Sequence, residues 1–493
     1  MSYNHLLKKI ERTFKKNPNK VAIYYNDIVI TYKELAERVD KCIDEIVGLK
    51  SNIRYKTKVL LSINNPIQFI IIWLSLWKLD CIIIPFQPKG QNSAELKRAI
   101  EASECNIVIK ESDINIDDIN VISVEKSKNF SSLVYVEVNR DIIDDKYNDL
   151  SVFFYTSGTT GLPKCVGFTE ESMLENIKSV AEVIDLSEID VFFTPLSPVL
   201  TATITTAVLP SLYVGASLVI TNCVLPANIL KNIEEKKVTI FFAVPYIYEL
   251  LNSTMNLHKL DVWNSVRICL TSSAFLKKST FDEFYEKTSI PMRSIYCSSE
   301  AGAITYNNSN DIKLIRNSVG LPLPGVKVKI FDGKMNELKQ NQVGELYIGG
   351  SHLASGYYNK LELGKKVFKN NLVRTGDIGF INEKGFIVLK GRASDTINVS
   401  GFLVNPEEIE QVIIRHHDVK DALVYGINDD KTGERVAAKI ILKDEACKLA
   451  EDDIYNFCIK QLEQYKIPRH IEIVDDIPKS RYGKKIRVKR ELN

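Results

Sequence analysis

The repeated alternation of short apolar runs with amphipathic stretches is the feature that most limits what this chain can fold into. Residues 59–62 read as a buried strand, 67–77 as the helix after it and 81–84 as the next strand. Asn92-Ser93-Ala94-Glu95 has the form of a capping box and opens a helix to about residue 103. The order returns at 218–221 (strand), 227–235 (helix), 239–243 (strand) and 245–252 (helix). Strands separated by helices predict parallel sheets, which gather ligands at the carboxyl ends of their strands. From residue 319 to 389 the texture changes to short β-like runs split by glycines, which suits a small β subdomain. After Gly391-Arg392 the chain restarts. Asn405-Pro406-Glu407-Glu408 is a helix start with a capping asparagine, a first-turn proline and acids at the positive end of the dipole. Ile409, Val412 and Ile413 give that helix one apolar face. The expected fold is therefore α/β. A large N-terminal domain of βαβ-type sheets with a small β subdomain (1–393) precedes a small mobile α+β domain (394–493).

A chain of 493 residues exceeds what one hydrophobic core usually serves. Its 64 basic and 62 acidic residues leave a net charge of +2, so electrostatics gives no reason to expect nucleic acid or an anionic membrane as partner. The longest apolar stretch, 69–86, is broken by Lys78, Asp80 and Pro85. It falls short of the roughly 20 apolar residues of a spanning helix. Met1-Ser2-Tyr3-Asn4-His5 lacks the apolar stretch of a secretory signal. Nine cysteines form no C-x-x-C pair and lie mostly in apolar strings, as Cys81 does, so they read as reduced core residues of a cytoplasmic protein.

The residues that point to chemistry are Tyr155-Thr156-Ser157-Gly158-Thr159-Thr160-Gly161-Leu162-Pro163-Lys164, with apolar strand patterns on both sides. Two glycines admit backbone N–H groups to a phosphate, the hydroxyls donate and the lysine offsets negative charge. The loop lacks the G-x-x-x-x-G-K-[ST] order of the Walker loop. Taken alone, such a loop also reads as a surface turn.

The ordered string resembles the phosphate loop of the acyl-adenylate-forming superfamily, which includes acyl-CoA synthetases, luciferases and peptide-synthetase adenylation domains. Further elements follow in that family's order. Tyr296-Cys297-Ser298-Ser299-Glu300 resembles its Y-G-x-T-E element, and Arg374-Thr375-Gly376-Asp377 its R-T-G-D. Gly391-Arg392 through Gly401 with 406–410 resembles the stretch around its inter-domain hinge. Tyr465-Lys466-Ile467-Pro468 and residues 478–484 resemble its two closing motifs, and Thr31-Tyr32-Lys33-Glu34-Leu35 its beginning.

The resemblance implies roles. Thr156, Ser157, Gly158, Thr159, Thr160, Gly161 and Lys164 would hold the β- and γ-phosphates of ATP. Tyr296, with Ser273, Ala274 and Ser299, would line the nucleotide site, and Glu300 would hold Mg²⁺. Asp377 would accept hydrogen bonds from the ribose hydroxyls. Arg392 would contact the nucleotide from the hinge, whose pivot falls at Ser394. Lys484 would bridge the substrate carboxylate and the α-phosphate, making Lys484, Glu300 and Thr156 the catalytic set. Lys485 competes for the lysine role. Cys297 stands where the family usually has glycine, and Ser394 where it usually has aspartate or lysine. The basic stretch 479–490, with Ile486 and Val488 interleaved, reads as a strand rather than a nucleic-acid patch.

Pro198, Val199, Ser272 and Cys297 are expected to line the acyl pocket. Amino-acid-activating members usually place an aspartate in this region, whereas Leu196-Ser197-Pro198-Val199-Leu200-Thr201 has no acid. A substrate ammonium would be left unpaired there, so a non-amino carboxylic acid is expected. Thr271-Ser272-Ser273-Ala274 replaces a glycine-rich turn, and its bulkier side chains would shorten the pocket. The closing motifs resemble those of acyl-CoA synthetases, so coenzyme A is the expected acceptor. A separate carrier protein with a phosphopantetheine thiol is the alternative, and a non-catalytic nucleotide- or acyl-binding regulator the second.

Overall fold

Helix Pro66–Lys78 is apolar on every side, and its surroundings explain the architecture around it. The Asn65 side chain accepts from the backbone N–H groups of Ile67 and Gln68, and Pro66 occupies the first turn, so the helix starts where the sequence says it should. Eleven of its residues, Pro66, Ile67 and Phe69 to Trp77, are buried. A helix hydrophobic all round needs cover on all sides. This one touches strand Ile82–Pro85 of one sheet and strand Val21–Tyr25 of another, so it lies between them.

The computed structural model describes residues 5–49, 53, 55–87, 93–113, 121–138, 149–156, 164–254, 257–400, 402–429, 432–443, 449–479 and 485–487. Among these, one sheet runs Gly356–Tyr357, Lys164–Thr169, Leu150–Thr156, Ile82–Pro85, Lys58–Ser62, Ile107–Glu111, Leu133–Val138, Val121–Lys126. The second runs Leu321–Pro322, Gly302–Tyr306, Met292–Ser298, Ile268–Thr271, Ile240–Ala243, Val191–Thr194, Ser217–Ile220, Val21–Tyr25, Ile28–Thr31. Its inner neighbours pair in parallel, as the strand–helix alternation requires, for example Ile240 with Ile268 and Cys269 with Met292. A second helix between the sheets, Glu170–Val183, is capped by Thr169 and touches both Lys164–Thr169 and Gly302–Tyr306. At the far edge, Thr31 and Glu34 form a reciprocal capping box, and the Tyr32 hydroxyl donates to the Ala216 carbonyl at 2.6 Å.

Packing divides the chain into two compact units. One comprises Met1–Ser273, Thr280–Lys327 and Ile348–Arg374; the other comprises Ala274–Ser279, Val328–Tyr347 and Thr375–Asn493. In the second, residues 377–381 pair antiparallel with strand Ile387–Arg392. Ser394 lies inside this unit, and just past it begins a hydrophobic cluster of its own, from Ile397 through Val424 and Ile440 to Ile471. That cluster sits on a sheet ordered Phe402–Val404, Ile397–Val399, Gly433–Leu442, Val419–Asp429, with His470–Ile473 parallel to Gly433–Leu442. Helix Pro406–Ile413 is capped by Asn405 and buries Ile409, Val412 and Ile413.

Of the expected strand at 479–490, only Lys479 and residues 485–487 are described; Lys479 and Lys485 make an isolated antiparallel bridge, and Lys479, Lys485 and Arg487 pair with the carboxylates of Asp421 and Glu410. Six of the cysteines, at 42, 81, 105, 165, 269 and 458, are buried and unbridged; Cys223 and Cys297 are half-buried, and Cys447 lies outside the described residues. No helix among the described residues is long and apolar enough to cross a membrane.

One buried titratable group links this packing to pH. His352 is 3% exposed, and its Nε2 has no hydrogen-bond partner among the described residues. Burial pushes its pKa down to about 4 from the ordinary 6.5. Between these values the unfolded chain binds the proton and the folded one does not, so stability falls as pH drops from 6.5 towards 4. Wild type is expected to lose about 2.5 kcal/mol more than His352→Asn between pH 7 and 4.5. Urea unfolding at the two pH values measures this; equal losses would contradict the neutral buried imidazole.

Candidate active site

Strands Leu150–Thr156 and Lys164–Thr169 form an antiparallel hairpin whose last pair is Thr156 with Lys164. Residues 157–163, the remainder of the phosphate loop, lie outside the described residues, as does the Thr156 side chain. The hairpin therefore delivers both ends of the loop to one point at the end of its two strands. Cys165, Val166 and Phe168, buried in the core, anchor the strand that carries Lys164.

Lys164 and Glu300 converge on a tyrosine that sequence reasoning missed. Strand Gly356–Tyr357 adds to the hairpin, with Tyr357 opposite Val166. The Lys164 ammonium lies 5.7 Å from the Tyr357 ring centroid. The Tyr357 hydroxyl donates to Glu300 Oε1 at 2.7 Å, and the Ala354 N–H donates to the Glu300 carbonyl at 3.0 Å. Burial, and then the nearby Glu300 carboxylate, raise the Tyr357 pKa above its ordinary value. The phenol thus keeps its proton and orients the carboxylate as an acceptor. Gly356-Tyr357-Tyr358, a glycine followed by two aromatics, was the only signal of this pairing in the sequence.

The turn that presents Glu300 is fixed from below. Ser298 Oγ accepts from the Ala301 N–H at 3.1 Å. Asn176, on the buried helix Glu170–Val183, donates to the Ala303 carbonyl at 3.0 Å and accepts from its N–H at 3.3 Å. Gly302 has φ +62, and a Cβ there would meet the Asn176 amide at 2.9 Å. Glycine is needed both for the left-handed conformation and for this close approach.

Tyr296, Cys297, Ser299 and Glu300 are all half-buried. Cys297 Sγ donates back to the Ile295 carbonyl at 3.9 Å. Its pKa is pushed up to about 11, by burial first, with Ser272 and Thr206 hydroxyls close enough to oppose that shift. It remains a thiol at neutral pH. Ser272 and Thr206 are themselves buried, and their hydroxyls have no partner of proper geometry among the described residues. Thr206 belongs to a π-helical turn, Ile204–Val208, inside the helical run from Thr201 to Val214. Such turns break the regular ladder and often occur at functional sites. Pro198 and Val199 are buried in the turn before that run. Ser273 is exposed and has φ +71, so it occupies the left-handed conformation that a glycine would adopt freely. Ser272, not Ser273, brings its side chain to Cys297. Ala274 is half-buried and falls in the other unit.

In the second unit, Asp377 and Arg392 face each other across the antiparallel pair of strands. Arg392 Nε donates to Asp377 Oδ1 at 3.0 Å; the carboxylate is buried and the guanidinium exposed. Gly376, at φ +74, makes the turn into Asp377, whose N–H donates to Thr375 Oγ1. The exposed Ser394 hydroxyl donates to Asp395 Oδ1 at 2.9 Å. Lys484 lies outside the described residues. Its rival Lys485 is 11% exposed and lies between Glu410 and Asp421 at 3.0 and 2.9 Å. A cation already neutralised by two buried carboxylates is a poor partner for an anionic substrate.

The Glu300 carboxylate fits a magnesium ion. It is a hard oxygen donor that accepts one hydrogen bond among the described residues, from Tyr357 on the strand beside Lys164–Thr169. Magnesium is usually held by one or two carboxylates together with substrate phosphates.

Residues 10–358 match the AMP-binding enzyme family, and residues 408–484 match the AMP-binding enzyme C-terminal domain. A long-chain-fatty-acid–CoA ligase of Escherichia coli O157:H7 is 31% identical over 352 residues, 70% of this chain and 61% of that protein. The alignment thus spans about three fifths of that relative's length. An oxalate–CoA ligase of Arabidopsis thaliana is 26% identical over 504 residues, with 96% of each chain covered. The crystal structure of ATP-bound MatB from Rhodopseudomonas palustris has the same fold, with a TM-score of 0.84, 23% identity and 97% of both chains covered. The chain belongs to the AMP-binding enzyme family.

Proposed function

We propose that the protein adenylates a non-amino carboxylic acid with ATP and then transfers the acyl group to a thiol, most simply that of coenzyme A. In the first step a carboxylate oxygen attacks the α-phosphorus; the new O–P bond gives acyl-AMP, and pyrophosphate leaves. In the second, the thiol sulfur attacks the acyl carbon, giving a thioester, AMP and a proton. The observation that carries this reading is the convergence of Lys164 and Glu300 on Tyr357 at the base of the hairpin. A cation and an oriented carboxylate there suit a metal-bound triphosphate.

Residues 156–161 and Lys164 hold the β- and γ-phosphates, and Glu300 is the ligand offered to Mg²⁺. The bound ion supplies positive charge at the phosphate oxygens. Tyr296, with Ser273, Ala274 and Ser299, takes the adenine end, Asp377 the ribose hydroxyls, and Arg392 orients Asp377. Lys484 neutralises the two anions that must meet, substrate carboxylate and α-phosphate. Residues 394–493 act as a mobile small domain pivoting at Ser394.

Pro198, Val199, Ser272 and Cys297 bound the acyl group. In the first unit the buried carboxylate among the described residues is Asp190, at the start of strand Val191–Thr194. It is held by Arg267 at 2.9 Å and by Thr239 at 2.7 Å. Burial acts to raise its pKa, but these partners hold it below the ordinary value. It is committed to that pair, so it offers no free counter-charge to a substrate ammonium.

Incubation with ATP, Mg²⁺ and a panel of acids, with coenzyme A or a phosphopantetheinyl carrier protein as acceptor, tests the assignment. One AMP per coenzyme A thioester is expected. Thioester on the carrier alone would move the acceptor to the carrier. Saturable ATP binding without AMP release for any acid would make the protein a regulator.

A further inference from the structure

Helix His5–Lys16 is divided by polarity along its length. Leu6, Leu7, Ile10 and Phe14 are buried, and Phe14 packs on Tyr32 with ring centroids 5.2 Å apart. The Leu6 N–H donates to Glu170 Oε1 at 3.0 Å, and Thr13 Oγ1 donates to the Tyr213 carbonyl at 3.2 Å. The apolar face is therefore spent inside the protein, and the helix is held in one orientation. Lys8, Lys9, Arg12, Lys15 and Lys16 are all exposed. At 3.6 residues per turn they fall within an arc of about 120° on the opposite side. A net charge of only +2 over the whole chain conceals this concentration.

The acids beside this face leave most of its charge unbalanced. Glu188 lies 2.7 Å from Lys16, and Glu11, on the same helix, is drawn to Lys78 at 2.9 Å. Arg12 and Lys15 make no ion pair among the described residues. An apolar side chain stands at the edge of the face. Glu188 belongs to the loop between helix Glu170–Val183 and strand Val191–Thr194, and it also accepts from Asn17 at 3.1 Å. Lys20 donates to its carbonyl, which ties that loop to the end of the basic helix. The next residue, Ile189, is 84% exposed, the most of any large apolar side chain described. A solvated basic face is common, and so is a single exposed isoleucine. Their conjunction points to one kind of partner. An anionic lipid surface uses both features, because its phosphates attract the cations and its acyl boundary takes up the apolar side chain. A nucleic-acid backbone uses the cations and offers the isoleucine nothing.

We propose that the basic face of helix His5–Lys16, with Ile189 at its edge, docks the protein on an anionic phospholipid surface. The contact is peripheral and electrostatic in the main, since the apolar face of the helix is already packed and only Ile189 is left to enter the lipid boundary. The inference goes beyond the reaction proposed above and does not depend on it, and its test needs no turnover.

The test is vesicle flotation of the full-length chain at low ionic strength, with the melting transition of each variant checked against wild type. Wild type is expected to float with vesicles containing about one third phosphatidylglycerol and to stay behind with phosphatidylcholine alone. About 0.5 M NaCl should release it. The triple variant Lys9→Gln, Arg12→Gln, Lys15→Gln removes three cations at exposed positions and keeps residues that suit a helix. Each basic residue near such a surface is worth about fivefold, so this variant should bind about 10²-fold more weakly. Ile189→Ser should lose roughly tenfold. Equal binding of wild type to both vesicles, no binding to either, or a triple variant that binds like wild type overturns the proposal. So does an RNA or DNA oligonucleotide that displaces the vesicles and binds Ile189→Ser as tightly as wild type, a result that would assign the face to nucleic acid.

Discussion

Lys484→Ala is expected to lower carboxylate-dependent pyrophosphate exchange by about 10² to 10³-fold while leaving transfer from a supplied acyl-adenylate to the thiol largely intact. The reason is electrostatic. Adenylation brings a carboxylate onto a phosphate, and an ammonium placed between them relieves a repulsion that grows towards the transition state. In the second step a sulfur attacks an acyl carbon, and that repulsion is absent. The neighbouring lysine cannot substitute, because Lys485 is held by Glu410 and Asp421. Single-turnover measurement of each half-reaction checks this. Equal slowing of both steps in Lys484→Ala would remove the assigned role.

The largest effect on stability is expected at Arg487. It is 10% exposed on its side chain, and Asp395, Glu407 and Glu410 all approach it within 4 Å. Arg487→Met would leave Glu410 to Lys485 alone and strand Asp395 and Glu407 near each other without a cation. Removing one partner from a buried ion network typically costs about 3 to 5 kcal/mol, because the remaining charges keep their desolvation penalty. Selective unfolding of residues 394–493, read by hydrogen exchange or limited proteolysis, is the expected result. Burial already raises the Glu407 pKa to about 7. It should take up a proton more readily still in this variant, so part of the loss should be recovered on moving from pH 8 to pH 6. A variant as stable as wild type, with no such pH dependence, would show that the network contributes little.

Much of this was legible in the chain before its structure. Hydrophobic periodicity located the strands and helices around residues 59–103 and 218–252, because the strands and helix Pro66–Lys78 are buried on both faces and helix Pro226–Lys236 buries Ile229 and Ile233 at helical spacing. Asn405-Pro406 announced its helix through capping chemistry that is local and independent of context. The hairpin flanks, the Glu300 turn and the Asp377–Arg392 pair follow ordered motifs. What remained hidden depends on contacts between distant segments. Tyr357 reaches Glu300 across 57 positions, and Lys479 reaches Asp421 across 58. No local pattern encodes such distances. The stretch 479–490, which reads as a strand from its interleaved apolar residues, lies mostly outside the described residues, and the acids that meet Lys485 and Arg487 come from a helix and a strand more than fifty residues earlier. The π-helical turn at Ile204–Val208 left no periodic signal either, since a single extra residue in a turn leaves an apolar face almost unchanged.

Exchange of labelled pyrophosphate into ATP, followed across a panel of carboxylic acids with Mg²⁺ present, tests the central claim most directly. Exchange that appears only with certain non-amino acids, and that is lost in Lys484→Ala, is the predicted result. Exchange independent of any acid, or tight ATP binding that leaves the label in pyrophosphate throughout, would contradict it.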